Sequence, residues 1–215
     1  MAGRRTPPRE TNPAGRSQPS DLRIIGGRLR GRPIPYLGDL ATRPMKDRVR
    51  EAVFNLLGQT LTGKQVIDLF AGTGAMAFEA ISRGATEAIL VERRFPNVRQ
   101  IERTAAELGL SEQVRVFASD TFYWARHIHQ PATIPSVMFC CPPYALYAER
   151  LDDMLGLINR FVESARPGSL LVVESDARFD IQRLPPSLTW DVRTYPPAVI
   201  AIAEVEAAGA DTHEN

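Results

Sequence analysis

One stretch decides the fold of this chain: Gln65-Val66-Ile67-Asp68-Leu69-Phe70-Ala71-Gly72-Thr73-Gly74-Ala75-Met76-Ala77. It begins as a short apolar run, turns through two glycines and continues with a helical pattern. A strand that leads into a helix through glycines is how α/β folds hold nucleotide-like ligands. Gly72 and Gly74 have no Cβ atom, so the backbone can approach a ligand closely, and the following helix directs unpaired N–H groups toward it. The stretch therefore predicts an α/β fold with a ligand pocket at this turn.

The residues of the glycine turn alone leave three interpretations open. It is a tight strand-to-helix turn without a ligand, or a dinucleotide-binding turn, since Gly72, Gly74 and Ala77 fit G-x-G-x-x-G/A. The third interpretation is an S-adenosylmethionine pocket, because the turn from Asp68 resembles the loop D-x-F-A-G-T-G. Both ligand interpretations need an acid at the end of the next strand to bind the ribose hydroxyls. Glu92 stands there, directly after the next apolar run.

Asp68 is a carboxylate inside an apolar run. Carboxylates are rarely buried in a strand without a partner. We therefore expect Asp68 at the carboxyl end of its strand, where it can bind a turn amide or a cationic ligand.

The composition is that of one globular domain. Of the 215 residues, 44% are hydrophobic and 24% are charged. No apolar run reaches the roughly 18 residues that span a bilayer, and the first residues contain no apolar signal core. We expect a cytoplasmic protein that does not contact a membrane. Cys140 and Cys141 are adjacent, a spacing that indicates neither a disulfide framework nor a metal site.

Charge is distributed unevenly along the chain. Residues 1–50 hold 12 Lys and Arg against 4 Asp and Glu, a net of +8. Residues 51–215 hold 14 against 21, a net of −7. A basic arm on an acidic body favours a polyanionic partner such as nucleic acid. The alternative is that the arm is only a solvated basic tail.

From residue 65 onward, strand patterns alternate with helix patterns, which is typical of a doubly wound, mostly parallel sheet. Residues 22–34 alternate apolar and basic side chains around glycines, which suits a hairpin with a basic face. An amphipathic helix follows, with Val49, Val53 and Leu57 on one face. The sheet strands are predicted at 65–70, 87–91, 114–118, 136–140 and 169–174, with a final antiparallel hairpin of 188–194 and 199–204.

A second constellation follows the fourth strand of the predicted sheet: Cys141-Pro142-Pro143-Tyr144. Ligands of open α/β sheets bind outside the carboxyl ends of the strands, so this turn is predicted to face the same crevice as the glycine turn. It resembles the (Asp/Asn/Ser)-Pro-Pro-(Tyr/Phe) motif of amino-group methyltransferases. In that motif the polar residue and a backbone carbonyl accept hydrogen bonds from the exocyclic amine, and the aromatic ring stacks on the extruded base. Proline fixes φ and thereby the direction of the carbonyl.

Together these residues resemble the RsmD-type 16S ribosomal RNA guanine-N2 methyltransferases, from about Leu22 to about Glu206. The resemblance implies a seven-stranded methyltransferase sheet, preceded by an extension that helps to hold RNA. Four blocks carry it: Arg23-Ile24-Ile25-Gly26-Gly27 with Arg30-Gly31-Arg32; Arg43-Pro44 with Asp47-Arg48-Val49-Arg50-Glu51 and Phe54-Asn55; Asp68 to Gly74 with Glu79-Ala80 and Ser82-Arg83-Gly84-Ala85; and Pro142-Pro143-Tyr144.

The resemblance implies S-adenosylmethionine as the methyl donor, without a metal. It implies 16S rRNA as the substrate, either free or in an assembling small subunit. We expect the enzyme to be a monomer. The implied catalytic residues are Cys141, Pro142, Pro143 and Tyr144. The implied cofactor-binding residues are Asp68, Phe70, Ala71, Gly72, Thr73, Gly74, Glu92 and Asp120. The implied RNA-binding residues are Arg23, Arg28, Arg30, Arg32, Arg43, Arg48 and Arg50. Asp120 could equally cap the helix that starts near Thr121.

These assignments divide the chain into four segments. Residues 1–20 are predicted to be a disordered basic tail, and residues 21–60 an RNA-binding extension of hairpin plus helix. Residues 61–206 are predicted to form the methyltransferase domain, and residues 207–215 a second disordered tail.

The chain departs from the family pattern at two positions. Cys141 stands where the family usually has Asp, and a thiol is only a weak donor and a weak acceptor. It cannot replace a carboxylate that accepts from an amine, so we expect Cys141 to limit catalysis. The ribose acid is followed by Arg93-Arg94 instead of the usual second polar residue, which affects a secondary cofactor contact.

Two other functional classes stay open. A nicotinamide-dependent oxidoreductase would account for the glycine turn but not for the Pro-Pro-Tyr turn or the basic arm. A non-catalytic RNA-binding relative would account for the arm, the fold and Cys141 together.

Overall fold

The structure, a computed structural model, describes residues 22–38, 44–58 and 60–207. Arg43 and the two predicted disordered tails, except Ala207, lie outside the described residues. The strands are β1 (Leu22–Arg23), β2 (Pro33–Ile34), β3 (Gln65–Asp68), β4 (Glu87–Glu92), β5 (Val114–Ala118), β6 (Ser136–Cys140), β7 (Leu170–Asp176), β8 (Asp191–Tyr195) and β9 (Ala198–Glu204). The helices are α1 (Asp47–Leu56), α2 (Ala75–Ser82), α3 (Phe95–Glu107), α4 (Thr121–His127), α5 (Leu146–Glu149) and α6 (Leu151–Ser164).

Seven strands form one sheet in the order β5-β4-β3-β6-β7-β9-β8. The strands from β5 to β7 run parallel, and β9 is antiparallel to both β7 and β8. The predicted doubly wound sheet with a terminal antiparallel hairpin is therefore confirmed. The order of the strands reverses between β3 and β6, which makes this pair the switch point where ligands bind in such sheets.

The central strands are buried on both faces because their side chains alternate between two apolar clusters. On β6, Val137 and Phe139 belong to the cluster under α1, α2 and α3, whereas Met138 and Cys140 belong to the cluster under α4 and α6. This two-sided burial explains why the strands read as continuous apolar runs. Among the described residues, no helix is both long and apolar enough to span a bilayer.

Several strand boundaries differ from the prediction by one to three residues. β3 ends at Asp68, two residues earlier than the apolar pattern suggested, because Leu69 and Phe70 already belong to the turn that leads to the glycines. The Leu69 amide still donates to the Phe139 carbonyl at 3.0 Å, which holds the start of the turn against β6. β8 begins at Asp191, three residues later than predicted.

The N-terminal extension is built into the core of the sheet domain. β1 and β2 pair antiparallel over two residues each, as the hairpin prediction requires. Ile24 and Ile34 are fully buried in the same cluster as α2, and Phe54 of α1 packs against Phe139 with ring centroids 5.7 Å apart. The extension and the sheet domain therefore share one hydrophobic core, and the predicted boundary near residue 60 does not separate two cores.

Candidate functional site

The switch point brings the glycine turn and the Pro-Pro-Tyr turn together. β3 and β6 are parallel neighbours in which Asp68 lies opposite Phe139. The turn that follows each strand therefore leaves the same edge of the sheet, beside the other. The two predicted site regions therefore lie side by side at the carboxyl edge of the sheet.

Backbone geometry explains the two glycines of the turn. Gly72 has φ 54° and Gly74 has φ 76°, both in the left-handed region that disfavours side chains. Gly74 is the N-cap of α2, and a Cβ atom there would lie 2.9 Å from the Phe78 ring. Gly74 has no side chain with which to cap the first turn of α2, and within that turn the Ala77 amide donates to the Asp68 carboxylate.

The other residues of the turn are fixed by the sheet. The Ala71 amide donates to the Val91 carbonyl of β4 at 3.1 Å, and the Gly74 amide donates to the Ala71 carbonyl at 2.7 Å. Phe70 meets Phe122 edge-on with ring centroids 6.3 Å apart. Thr73 is partly exposed between the two glycines. The turn is thus rigid before any ligand arrives.

Glu92 joins the end of β4 to the glycine turn. One carboxylate oxygen, Oε2, accepts from the Gly72 amide at 2.8 Å, and the other, Oε1, accepts from the Arg94 amide at 2.8 Å. The side chain is buried, with 8% of the residue exposed. Each carboxylate oxygen can accept a second hydrogen bond, so Glu92 retains acceptor capacity for hydroxyl groups such as those of a ribose.

Asp68 lies buried at the end of β3, as predicted, and is 2% exposed. Burial and the nearby Glu92 raise the pKa of Asp68 to about 7, while the backbone amides of Phe70 and Ala77 oppose the shift. Within the described part of the chain, Asp68 Oδ2 has no hydrogen-bond partner. A buried acceptor without a partner is costly, so this oxygen fits a donor or cationic group of a ligand.

Asp120 caps α4. Its Oδ1 accepts from the Phe122 amide at 3.0 Å and from the Tyr123 amide at 3.1 Å. Its Oδ2 lies 3.9 Å from an Arg150 guanidinium nitrogen. The capping interpretation of Asp120 is confirmed, and contact of Oδ2 with an adenine amino group stays a prediction.

The Pro-Pro-Tyr turn is fixed to β7. Pro142 is buried, Pro143 is exposed and Tyr144 is partly exposed. The Tyr144 hydroxyl donates to Glu174 Oε1 at 2.6 Å, which fixes the position of the ring. Burial, followed by the nearby carboxylates of Glu174 and Asp68, raises the pKa of the Cys141 thiol well above its ordinary value. The thiol is therefore neutral at physiological pH.

Glu174 is a site residue that the sequence analysis missed. Cys140 pairs with Val173 in the register of β6 and β7, so Cys141 and Glu174 follow as neighbours directly beyond the last pair. Burial raises the pKa of Glu174, while hydrogen bonds from Tyr144 and Cys141 oppose the shift. The available signal was an acid at the carboxyl end of an apolar strand, which the pattern 169–174 treated only as structure.

The exposed arginines of the extension lie partly at the opposite edge of the sheet. Arg28 donates to Gln113 Oε1 at 2.9 Å, and Arg32 donates to the Glu107 carbonyl at 3.1 Å. Glu107 ends α3 and Gln113 precedes β5, so both contacts are at the amino edge, away from the crevice. The predicted RNA-binding arginines that are exposed are Arg23, Arg28, Arg30, Arg32 and Arg48.

Arg50 requires a correction, because its side chain is 0% exposed. It donates to the Arg23 carbonyl at 2.6 Å and to Asp47 Oδ1 at 3.0 Å. Burial lowers its pKa, although Asp47 and Glu79 oppose the shift. No phosphate can reach a guanidinium in this position, so Arg50 holds the extension together and is not part of an RNA surface.

Two side chains of α2 hold the basic loop of the extension, residues 25–32, in place. Glu79 accepts from the Ile25 amide at 2.6 Å and from the Gly26 amide at 2.8 Å. Ser82 Oγ accepts from the Leu29 amide at 2.9 Å. A Cβ atom at Gly27 would lie 2.0 Å from the Ser82 carbonyl oxygen, so only glycine fits. The helix that starts at the glycine turn therefore also holds the basic loop.

Residues 22–195 match the family described as Conserved hypothetical protein 95. The chain is 31% identical over 159 residues to ribosomal RNA small subunit methyltransferase D of Haemophilus influenzae, which covers 73% of this chain and 79% of that protein. This chain belongs to the RsmD-type methyltransferase family.

Two further proteins have a similar level of sequence identity to this RsmD-type chain. YlbH of Bacillus subtilis is 30% identical over 163 residues, covering 74% of this chain and 85% of YlbH. The structure of yhhF from Escherichia coli superposes with a TM-score of 0.73 and 28% identity, covering 87% of this chain and 99% of that one. The predicted family is thus confirmed over the sheet domain and the described extension alike.

Proposed function

We propose that this chain transfers a methyl group from S-adenosylmethionine to the exocyclic N2 amine of a guanine in 16S rRNA. It would act as a cytoplasmic monomer on rRNA that is free or in an assembling small subunit. The observation that carries the proposal is the crevice in which the Gly72 amide bonds to Glu92 beside the Pro-Pro-Tyr turn. Membership of the RsmD-type family supports it.

The crevice offers a suitable partner for each part of the methyl donor. Glu92 would accept from the ribose hydroxyls, and backbone amides at the start of α2 would bind the carboxylate of the methionine moiety. Asp68 would receive its ammonium group, because Oδ2 is buried and has no partner among the described residues. The Asp120 Oδ2 would accept from the adenine amino group. Bound there, the donor supplies a methyl group on a sulfonium, a chemistry that requires no metal.

The Pro-Pro-Tyr turn would hold the target base. Flipping a base out of its stack costs a few kcal/mol, and stacking on the Tyr144 ring returns about 1–3 kcal/mol. The Pro142 carbonyl would accept one N–H of the guanine amine, and the prolines fix its direction. Holding the amine in line with the reacting carbon supplies much of the rate enhancement in reactions of this kind.

The arginines of the extension would bind phosphates. Arg23, Arg28, Arg30, Arg32 and Arg48 are exposed and lie on the side of the molecule that carries the extension. Phosphate contacts position a nucleic acid without reading its sequence. Because Arg28 and Arg32 lie at the amino edge, an RNA that enters the crevice would have to extend along the height of the sheet to reach them.

A tritium methyl-transfer assay on small-subunit rRNA that lacks native methylation tests this function. We expect label on a guanine N2, recovered as N2-methylguanosine after digestion. Binding of S-adenosylmethionine and RNA without transfer would instead identify a non-catalytic RNA-binding relative, the class that Cys141 favours. Binding of a nicotinamide cofactor in place of S-adenosylmethionine would identify an oxidoreductase.

A further inference from the structure

The Pro-Pro-Tyr turn has a carboxylate beside it, although its own first residue is a thiol. Cys141 and Glu174 are neighbours at the ends of two parallel strands, directly beyond the pair of Cys140 and Val173. Glu174 Oε1 also accepts from the Tyr144 hydroxyl at 2.6 Å. The same carboxylate therefore lies against the first and the last residue of the turn.

The proposed reaction needs a second acceptor in this place. A guanine N2 amine presents two N–H groups, and the Pro142 carbonyl can accept from only one of them. The Cys141 thiol is a weak acceptor. A carboxylate has about four lone-pair positions, of which the Tyr144 hydroxyl and the Cys141 thiol occupy two. Glu174 therefore keeps acceptor capacity at the position where the turn lacks it.

We propose that Glu174 accepts the second N–H of the target amine, as a carboxylate supplied by β7 in place of the one that Cys141 does not provide. This inference rests on the proposed function. Under this proposal Cys141 does not limit catalysis. Its thiol only packs in the turn, and the Glu174 carboxylate of β7 supplies the negative charge.

The role of Glu174 covers both stages of the transfer. Accepting from the N–H group draws the nitrogen lone pair out of the base and toward the methyl carbon. When nitrogen forms its bond to that carbon, the carbon–sulfur bond breaks and both of its electrons stay on sulfur. The nitrogen then carries one proton too many, and this proton passes to the Glu174 carboxylate and on to solvent.

This role requires an ionised carboxylate, which gives it a pH signature. Burial raises the pKa of Glu174 above its ordinary value, so its ionised fraction falls as the pH is lowered through that raised pKa. The wild-type turnover number should therefore decline on the acid side, with a limb that reports this group. Replacement of Glu174 by Gln should remove that limb.

Four variants test the inference in the methyl-transfer assay: Glu174→Gln, Tyr144→Phe, Cys141→Asp and the double variant Cys141→Asp/Glu174→Gln. Removal of an acceptor at a reacting group typically lowers kcat about 10²- to 10³-fold, which is the loss expected for Glu174→Gln. Its affinity for S-adenosylmethionine and its melting temperature should match wild type. The double variant should recover roughly tenfold or more, because Asp at position 141 returns a carboxylate to the amine. Tyr144→Phe keeps the ring and should lose much less than Glu174→Gln.

Each result decides between named alternatives. A Glu174→Gln variant with wild-type kcat and an unchanged acid limb would overturn the inference. Two results together would mean that Glu174 only holds the Tyr144 ring in place. Tyr144→Phe would lower kcat as much as Glu174→Gln does, and the double variant would recover no kcat. An inactive wild type with an active Cys141→Asp variant would reject the role of Glu174 and would also identify the wild-type chain as the non-catalytic relative, whereas an active wild type with an unaffected Glu174→Gln variant would reject the role of Glu174 alone. If no variant transfers methyl to rRNA while all bind the donor, the proposed function itself fails.

Discussion

The two edges of the central sheet differ in charge and burial. At the carboxyl edge, Asp68, Glu92 and Glu174 form an acidic crevice whose carboxylates are tied to turns and to the Tyr144 hydroxyl. At the amino edge, exposed arginines are anchored on neutral oxygens of Gln113 and the Glu107 carbonyl. Under the proposed function, the carboxylates of the carboxyl edge would attract a cationic methyl donor, whereas the exposed arginines of the amino edge would attract phosphates. We infer that methyl transfer and RNA affinity reside on opposite edges.

One helix connects the two edges. α2 begins at Gly74 beside the crevice, and its residues Glu79 and Ser82 hold the basic loop. The basic loop is therefore bonded to the same helix that starts at the glycine turn. Variants at each edge, and in the connection between them, separate the contributions of the two edges.

Arg50→Ala should break the support of the extension. Removing this buried guanidinium, which donates to the Arg23 carbonyl and to the half-exposed Asp47, together with the lost packing, costs about 3 kcal/mol of the free energy of unfolding. Arg48 is an exposed arginine two residues away in the same helix, and Arg48→Ala should leave stability unchanged within about 0.5 kcal/mol. Urea denaturation of both variants measures the difference. Equal stability of the two variants would contradict the structural role of Arg50.

Glu92→Ala should affect only the carboxyl edge. It removes the acceptor of the Gly72 and Arg94 amides and the proposed partner of the ribose hydroxyls. Since a hydrogen bond to a charged group contributes about 1.5–3 kcal/mol, affinity for S-adenosylmethionine should fall roughly 100-fold. Calorimetry gives this affinity, with Glu102→Ala on the exposed side of α3 as the control. A change in RNA affinity of similar size would mean that the two edges are not independent.

Replacing the basic-loop residues Arg28, Arg30 and Arg32 together by Ala should weaken RNA binding without affecting the carboxyl edge. Each lost phosphate contact lowers the slope of log affinity against log salt by about 0.7–0.9, so the slope should fall by roughly 2–3. The matched control replaces Arg160 and Arg166, which lie in or beside α6 on the other side of the sheet. If the control variant lowers the salt slope per arginine as much as the basic-loop variant does, the arginines of the basic loop do not contribute more to RNA binding than other surface arginines.

The pH dependence of donor binding should give the smallest effect. With a pKa of about 7, Asp68 is ionised above pH 7 and loses its charge as the pH falls below it. Its attraction for an ammonium group should therefore weaken at low pH, and affinity for S-adenosylmethionine should drop up to about tenfold between pH 8 and pH 6. Asp68→Asn should bind more weakly at pH 8 and show a flatter profile. An equally steep profile in this variant would assign the pH dependence to another group.

Local chemistry accounts for what the sequence predicted well. The two glycines of the turn can be recognised in the sequence because the turn requires a backbone conformation that other residues avoid. Glu92 can be recognised by its position at the end of the following strand. The sheet follows from the alternation of patterns. Each of these signals lies within a short stretch of chain, so no knowledge of the packing is needed to find it.

The features that were missed depend on which elements become neighbours. Glu174 enters the site only because β7 lies beside β6, and its acid reads as an ordinary strand end until that pairing is known. Arg50 falls within a helix of mixed charge, and only the docking of β1 on α1 buries it. The position of Arg28 and Arg32 depends on the clamp that Glu79 and Ser82 form, which no pattern within residues 22–34 reveals.

The separation of the two edges is tested most directly by single-turnover methyl transfer by the Arg28, Arg30 and Arg32 variant at saturating RNA. Saturation cancels the loss of affinity, so the rate then reports the carboxyl edge alone. We expect a rate within twofold of wild type, reached at a higher RNA concentration. A rate that stays well below wild type at saturation would show that the amino-edge arginines act on the chemical step, and would contradict the separation of binding from catalysis.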